Sequence, residues 1–328
     1  MRTSILYDAG ADHWAAADVR AVRESVDAVA DVLDRADHAV AVVPVRRDRV
    51  WMGALARSDL VFNLCEGVEG VSRLEYQVAA VVELWGLPMT GTSARTIALC
   101  HRKSTLNALL SRHGLPVPDW CEVSAPSNPC AVSMPAIVKP AEEDASIGID
   151  QRSVVTTRAE LRDRVEEMRA RFGRVIAQRY VAGREFNVGF VGDEALPVSE
   201  IDFTNMPSDA WPIVSFAAKW EPDSAEDLGT QPVCPAQVDP DLADRILHVA
   251  RSAWMAVDGH GYGRVDLRLD DRGTPWILEV NPCPDASPNA GLANMARAHG
   301  WSYDDLVLRI VDAALAAHAA TTTPAGVH

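Results

Sequence analysis

Hydrophobic positions in the first hundred residues alternate between two spacings. Across residues 19–33 apolar side chains recur every three or four positions, which is typical of an amphipathic helix. Short apolar runs at Ser4–Tyr7, Ala39–Val45 and Leu60–Leu64 predict buried strands, and Leu74–Leu84 predicts another helix. Strands that alternate with helices predict a parallel sheet, and the loops after such strands commonly hold ligands.

After residue 100 the pattern changes to a mixture of helices and antiparallel strands. The tail beyond residue 319 has no apolar periodicity and is predicted to be disordered. The elements predicted in this part are a helix from Lys103 that ends at Gly114, a strand Ala136–Pro140, a helix Arg158–Arg171, strands Arg174–Tyr180 and Arg184–Val191, and a helix Leu242–Val257.

A predicted hairpin near the C-terminus brings two acidic residues together. Strand-like runs Arg264–Leu269 and Trp276–Asn281 flank a glycine-containing turn. With the turn centred at 272–273, Asp266 faces Glu279, and alternation puts both on one face. The other face is predicted to be apolar, with Val265, Leu267, Leu269, Trp276, Leu278 and Val280.

The same register places Arg264 opposite Asn281, beside the two acids. Directly opposed carboxylates destabilise a sheet, whereas a divalent cation between them relieves the repulsion. Carboxylates and an amide oxygen are ligands that Mg²⁺ prefers, so the hairpin predicts a metal site. The alternative is a register shifted by one residue, which would leave the acids on a solvated face.

Composition limits the function classes. The chain has 328 residues, 48% of them hydrophobic, and a formal net charge of −15, which argues against a nucleic-acid partner. Without a ~20-residue apolar run or a signal peptide, no membrane association and a cytoplasmic location are expected. Six scattered cysteines without CxxC spacing predict reduced thiols, namely Cys65, Cys100, Cys121, Cys130, Cys234 and Cys283.

Four segments in order resemble the ATP-grasp ligases, most closely their D-alanine–D-alanine ligase branch. They are LPMTGTSARTIALCHRK, PAIVKPAEEDASIG, VIAQRYVAGREFNV and GRVDLRLDDRGTPWILEVNPCP. The resemblance implies a mixed α/β and α+β fold of three domains. These would be an N-terminal αβ domain over 1–100, a central ATP-grasp subdomain over 101–190 and a C-terminal one over 191–319 with the metal site, followed by the tail 320–328.

The resemblance also implies ATP and Mg²⁺, with Mn²⁺ as a possible substitute, and assigns residues to them. The catalytic cations would be Arg264 and Lys219, and the metal ligands Asp266, Glu279 and Asn281. The nucleotide would be bound by phosphate lysines Lys103 and Lys139, by a flap with Glu143, Ser146 and Gly148, by an adenine hinge Gln178, Arg179, Tyr180 and Val181, and by Glu185 at the ribose.

The implied reaction joins a small-molecule carboxylate donor to an amine acceptor. A carboxylate is a poor acyl donor, but phosphorylation by ATP gives an acylphosphate that an amine can attack. Family members are commonly homodimers. We therefore predict a ligase acting on amino acids or a specialised metabolite.

The chain departs from the branch on the substrate side. Trp220 stands at a tyrosine position and Asp285 at a glycine position, and an anion there would repel an acceptor carboxylate. The acceptor is therefore expected to lack that carboxylate or to carry a cation. Glu66 and Glu69, in the loop NLCEGVEG, are further candidates to meet a substrate ammonium.

Three other functions are compatible with the same residues. The enzyme alternative is a housekeeping D-alanine–D-alanine ligase, and the non-enzyme alternative is a degenerate ATP-binding regulator. A further variant would phosphorylate an enol or carbonyl oxygen before amine attack.

Overall fold

The computed structural model describes residues 1–10, 16–123 and 130–322, which form three sheets with covering helices. In the first sheet β1 lies between β2 and β3, and all three strands are parallel, as predicted. The N-terminal elements are β1 (Arg2–Asp8), α1 (Ala16–Arg35), β2 (Ala39–Val45), α2 (Met52–Leu55), β3 (Leu60–Leu64), α3 (Glu75–Leu84) and α4 (Ala94–Cys100).

The apolar stripe of α1 packs against both this sheet and the C-terminal part of the chain. Val26, Val29 and Leu33 are fully buried and share a core with Leu306 and Ile310 of the last helix. The predicted amphipathic helix is therefore confirmed, and it joins the N-terminal sheet to the end of the chain.

The central unit is a four-stranded sheet in the order β4-β7-β5-β6 with one covering helix. That helix, α6, begins at a capping box in which Thr157 accepts from the Glu160 amide and Glu160 accepts from the Thr157 amide. The elements are α5 (Lys103–Arg112), β4 (Trp120–Val123), β5 (Ala136–Pro140), β6 (Val154–Val155), α6 (Arg158–Phe172) and β7 (Val175–Arg179).

The largest sheet runs in the order β11-β10-β8-β12-β13, with the short β9 paired to β8. Its apolar face is covered by α9, where Trp254 stacks on Phe190 at 5.6 Å between ring centroids. The elements are β8 (Glu185–Val191), β9 (Glu194–Ala195), β10 (Ser199–Asp202), α7 (Phe216–Trp220), α8 (Ala225–Leu228), β11 (Gln231–Val233), α9 (Pro240–Ala256), β12 (Tyr262–Leu269), β13 (Pro275–Asn281), α10 (Gly291–Ala298) and α11 (Tyr303–Thr322).

The β12–β13 hairpin has the predicted register at one end only. Asp266 pairs with Glu279, and Arg264 pairs with Asn281, so the two acids do face each other. The register then shifts, and Leu267 pairs with Ile277. Because of this bulge, Ile277 is buried at 1% exposure in place of Leu278, and Trp276 pairs with Arg268 of the polar face. The predicted apolar-face positions of Leu278 and Trp276 were therefore wrong.

Strand pairing and helix length differ from the sequence-based domain limits in two places. β8 pairs with β10 and β12, so it belongs to the C-terminal sheet, whereas the proposed central domain ended at residue 190. α11 continues through Thr322, so the first residues of the predicted tail are helical. The rest of that tail, 323–328, lies outside the described residues, and the domain limits remain a proposal.

The expectation that all six cysteines are reduced thiols was wrong for two of them. Cys121 on β4 and Cys130 before β5 form a disulfide across a separation of nine residues. A search for CxxC spacing does not detect a pair this far apart. Cys65, Cys100, Cys234 and Cys283 are free.

Within the described ranges, no helix combines the length and apolar character that a membrane crossing requires.

Candidate functional site

A cleft of about 330 Å³ opens between the central and C-terminal sheets and collects most of the predicted site residues. It is formed by the flap after β5, the hinge after β7 and the polar face of the β12–β13 hairpin. The predicted residues that line it are Lys103, Lys139, Glu143, Ser146, Gln178, Arg179, Tyr180, Val181, Glu185, Lys219, Arg264, Asp266, Glu279 and Asn281.

All lysines of the chain lie in the same cleft. Only three of the chain's 31 basic side chains are lysines, Lys103, Lys139 and Lys219, and all three line the cleft. Arginine serves at every other cationic position. The positions of the lysines in the sequence therefore indicate the site independently of the four matched segments.

At the hairpin, Arg264 and Asp266 form a bidentate ion pair. Arg264 Nε donates to Asp266 Oδ1 at 2.6 Å and Nη2 donates to Oδ2 at 2.8 Å. Asn187, the neighbour of Asp266 on β8, donates to Oδ1 at 2.7 Å. Burial disfavours the charge of Arg264, but Asp266 outweighs this effect and raises the pKa of the guanidinium. Asn187 was not among the predicted site residues.

Across the hairpin, the charged form of Glu279 is disfavoured by its surroundings, and a bound cation would stabilise it. Burial raises its pKa, Asp144 and Asp266 raise it further, and Lys103 and Lys139 oppose them. Lys139 has no hydrogen bond or ion pair with any described residue, and burial lowers its pKa. A half-buried acid with a raised pKa and a half-buried, unpaired amine together suit a cation bound to an anionic ligand.

The donor set fits a hard divalent cation, although it is not a cluster of acids alone. Among the described residues, no group of three or more His, Cys, Asp or Glu side chains converges at metal-binding spacing. Asp266 and Glu279 supply carboxylates, and Asn281 supplies an amide oxygen that already accepts from the Cys283 amide at 3.1 Å. These three oxygen donors leave positions for water and phosphate, as Mg²⁺ requires.

Lys103 is held by the flap. Its Nζ lies 3.0 Å from Asp144 Oδ1 and donates to the backbone oxygen of Glu143 at 2.5 Å. His101 lies 3.4 Å from the other Asp144 oxygen, and its Nε2 is 2.7 Å from Glu75 Oε2. Burial favours the neutral acid, but the charges of Lys103 and His101 lower the pKa of Asp144. His101 was not among the predicted site residues, and it is buried.

The flap also contacts α7, which carries Lys219, and the residues just before it. The hydroxyl of Ser146 donates to the backbone oxygen of Val214 at 2.8 Å, so it is not free for a ligand. Trp220 Nε1 donates to the backbone oxygen of Ala145 at 2.9 Å. Gly148 does not line the cleft: at a φ of +77°, its missing side chain makes room for Phe172.

The predicted adenine and ribose residues lie together at the other end of the cleft. Gln178 is buried, and its Nε2 has no partner among the described residues, which suits a ligand acceptor atom. Arg179 lies over the Trp276 ring at 4.4 Å, and Tyr180 packs edge-on against Trp211 at 5.3 Å. Glu185 pairs with Arg268, which sequence reasoning missed although it alternates with Arg264 and Asp266 on β12.

A second, smaller cavity of about 50 Å³ lies between the N-terminal sheet and the loop after β13. Glu66 and Asp285 are on its wall, and so is Tyr262, which is 2% exposed and whose hydroxyl has no partner among the described residues. Although Glu66 still contacts solvent, lost hydration raises its pKa to about 7, an effect that Lys219 opposes and Asp285 reinforces. The carboxylate of Asp285 also accepts from Ser287.

Glu69, predicted with Glu66, is not brought to either cavity. Its backbone amide donates to Asp8 at 2.8 Å, and its carboxylate pairs with Arg47 at 3.2 Å. The backbone at Glu69 is left-handed, with a φ of 53°, and this turn directs the two glutamates of one loop to different places. Glu66 alone therefore remains a substrate-side candidate from this loop.

Comparisons with known proteins agree with the geometry. The family model described as D-ala D-ala ligase C-terminus matches residues 109–312. A D-alanine–D-alanine ligase of Chromohalobacter salexigens is 32% identical over 77% of both chains. The chain belongs to the D-alanine–D-alanine ligase family.

Solved structures agree in fold over almost the whole chain. The D-alanine–D-alanine ligase of Bacillus anthracis complexed with ATP has a TM-score of 0.79, 19% identity and coverage of 98% of this chain and 99% of that one. The VanG D-Ala:D-Ser ligase of Enterococcus faecalis has a TM-score of 0.75, 19% identity and coverage of 95% and 99%. This family member therefore has the predicted ATP-grasp fold and is an ATP-dependent, amide-forming ligase.

Proposed function

We propose that the chain joins two D-alanine molecules into a dipeptide through an acylphosphate. Of the functions predicted from the sequence, this one was the enzyme alternative, and the names of the relatives favour it. The observation that carries the proposal is the cleft in which Asp266 faces Glu279 beside the unpaired Lys139.

The first chemical step converts a carboxylate into a better acyl donor. The carboxylate oxygen attacks the γ-phosphorus of ATP, the bond to the β–γ bridging oxygen breaks, and ADP leaves. Lys139 and Lys219 supply positive charge where negative charge accumulates during the transfer. Bound Mg²⁺, held by Asp266, Glu279 and Asn281, would neutralise phosphate charge.

The second step forms the amide. The neutral amine of the second amino acid attacks the acyl carbon and a tetrahedral oxyanion forms. Phosphate then leaves as the carbonyl is restored, and the proton that the nitrogen loses goes to the departing phosphate. Arg264 is fixed by Asp266 on the polar face of the hairpin, where its guanidinium can stabilise that oxyanion. The hydrogen bond from Trp220 to Ala145 closes the flap over the cleft and limits hydrolysis of the acylphosphate.

A second candidate keeps this chemistry and changes the acceptor. The small cavity carries Glu66 and Asp285, and its unpaired Tyr262 hydroxyl can accept a hydrogen bond. Two carboxylates and a hydroxyl favour a cationic group over a carboxylate. This observation favours an amino acid or amine that presents a second cation at the cavity, as the substrate-side residues had suggested.

Both candidates are tested by ADP release and product mass. The protein is incubated with ATP, Mg²⁺ and either D-alanine alone or D-alanine with a panel of amino acids and diamines. D-alanyl-D-alanine from D-alanine alone supports the first candidate, and a product only with a cationic acceptor supports the second. Tight ATP binding without ADP release from any substrate would instead support a regulator.

A further inference from the structure

Arg268 joins three separate segments at the nucleotide end of the cleft. Its Nε lies 3.2 Å from Glu185 Oε2, its Nη1 donates to the backbone oxygen of Val181 at 3.0 Å, and its Nη2 donates to the backbone oxygen of Pro212. The residue is 3% exposed. The two backbone oxygens fix the outer nitrogens of the guanidinium by hydrogen bonds, whereas Nε has no hydrogen-bond partner among the described residues and contacts Glu185 as an ion pair.

The sheet places Arg268 beside Glu185. The two residues are direct neighbours on β12 and β8, and alternation puts Arg268 on the same face as Asp266. One face of β12 therefore supplies the metal end of the cleft with a carboxylate and the opposite end with a cation.

Two aromatic rings also contact Arg268 and add to the segments that it joins. Its guanidinium carbon lies 5.1 Å from the centre of the Tyr180 ring and 5.4 Å from that of Phe203. Both distances are within the range of a cation–π interaction. Tyr180 belongs to the predicted hinge, and Phe203 begins the loop that leads to Lys219, so a single side chain holds hinge, loop and Glu185 together.

We propose that Arg268 is a positioning residue that orients the Glu185 carboxylate toward the ribose hydroxyls of the nucleotide. The inference rests on the proposed function, because an ATP-using ligase of this family is what implies the contact of Glu185 with ribose. An ionised carboxylate fixed in direction can accept from two hydroxyls with both oxygens, whereas protonation turns one of these oxygens into a donor. Burial raises the pKa of Glu185 and Arg268 opposes that rise, so loss of Arg268 would favour the neutral acid.

The experiment measures nucleotide binding without any amino acid. Calorimetry with Mg²⁺ compares ATP and 2′-deoxy-ATP on the wild-type protein, Arg268→Met and Arg268→Lys. The control is Arg184→Met, since Arg184 also joins a carboxylate, Glu200 at 2.6 Å, and a backbone oxygen, Gln237 at 2.9 Å, but at the surface.

We expect the wild-type protein to prefer ATP over 2′-deoxy-ATP by about tenfold, the value of one hydrogen bond to a charged group. Arg268→Met should bind ATP about tenfold more weakly and lose most of this preference. Arg268→Lys should lie between the two, and Arg184→Met should match the wild type. A merely structural role would weaken both nucleotides equally and leave their ratio unchanged.

A folded Arg268→Met protein with the wild-type ratio would overturn the inference. If that variant does not fold, Arg268→Lys decides the question, because it keeps the charge but cannot reach all three partners. A protein that forms no dipeptide yet shows ribose discrimination dependent on Arg268 would support the inference and contradict the proposed reaction.

Discussion

The indole nitrogen of Trp220 donates a hydrogen bond to the backbone oxygen of Ala145 at 2.9 Å. This bond joins α7, which also carries Lys219, to the flap that carries Asp144. Because its acceptor is a main-chain oxygen, it does not depend on the flap side chain at position 145. The chain thus connects α7 to the flap over the cleft with a tryptophan at the position where the family resemblance implies a tyrosine.

Removal of this donor should loosen the flap. Trp220→Phe keeps the ring and removes the N–H, and a neutral hydrogen bond contributes about 1 kcal/mol, so closure should weaken about fivefold. We expect more ATP to be hydrolysed per dipeptide formed, measured as the ratio of ADP to product. Trp85→Phe, at an exposed site on the N-terminal unit, is the control. An unchanged ratio in Trp220→Phe would argue against a closing role for this bond.

Asp266 should be indispensable for catalysis. Asp266→Asn removes the charge opposite Glu279 and one partner of Arg264, and loss of such a preorganised group lowers kcat by about 10²-fold or more. ADP release with D-alanine gives the measurement, and circular dichroism checks folding. Asp271→Asn, in the exposed turn of the same hairpin, should have wild-type activity. Retention of more than a tenth of kcat in Asp266→Asn would remove the hairpin from the mechanism.

The pair of Glu75 and His101 should make stability depend on pH. Burial lowers the pKa of His101, but the hydrogen bond that its ring donates to Glu75 and the charge of Asp144 outweigh it, and the net shift is upward. The charged imidazole therefore stabilises the fold fully below its unfolded pKa of about 6.5. This contribution is lost as the pH rises through the raised folded value.

The corresponding experiment compares Tm across pH. His101→Asn should lower Tm most at pH 6, and the difference from the wild type should shrink toward pH 9. His113→Asn, at the exposed end of α5, provides the control and should show no such trend. A difference that grows with pH would mean that His101 is neutral in the folded protein.

Glu66 should control the pH dependence of substrate use. Its pKa of about 7 means that it is neutral in mild acid and anionic above neutrality. If it binds a substrate ammonium, kcat/KM for the amino acid should rise as the pH increases through 7, and Glu66→Gln should lack this rise. Glu69→Gln, which alters a neighbour paired with Arg47 outside the cavity, should keep the wild-type profile. The same rise in both variants would assign it to another group.

The sequence predicted those features that follow from local periodicity. The acids of the hairpin face each other as predicted because the bulge offsets a one-residue shift next to the turn, and the cleft residues followed from segment order. The bulge at Leu278 was not predictable, since one extra residue leaves the apolar composition of the strand unchanged. The separation of Glu66 from Glu69 depends on a left-handed turn at a non-glycine residue, which composition does not signal.

Other features depend on contacts between distant segments. Arg268 meets Glu185, Val181 and Pro212 only after three stretches of chain have come together. The disulfide of Cys121 and Cys130 likewise requires β4 and the approach to β5 to be side by side. Motif matching found the residues that touch the cleft and missed those that hold them in place.

The confinement of all lysines to the cleft has a practical consequence for chemical biology. Acetylation, ubiquitin attachment and amine-reactive labels all require a lysine ε-amine, apart from the chain's own amino terminus. In this protein any such modification falls on Lys103, Lys139 or Lys219. A mass shift on an internal amine therefore places the modification in the cleft.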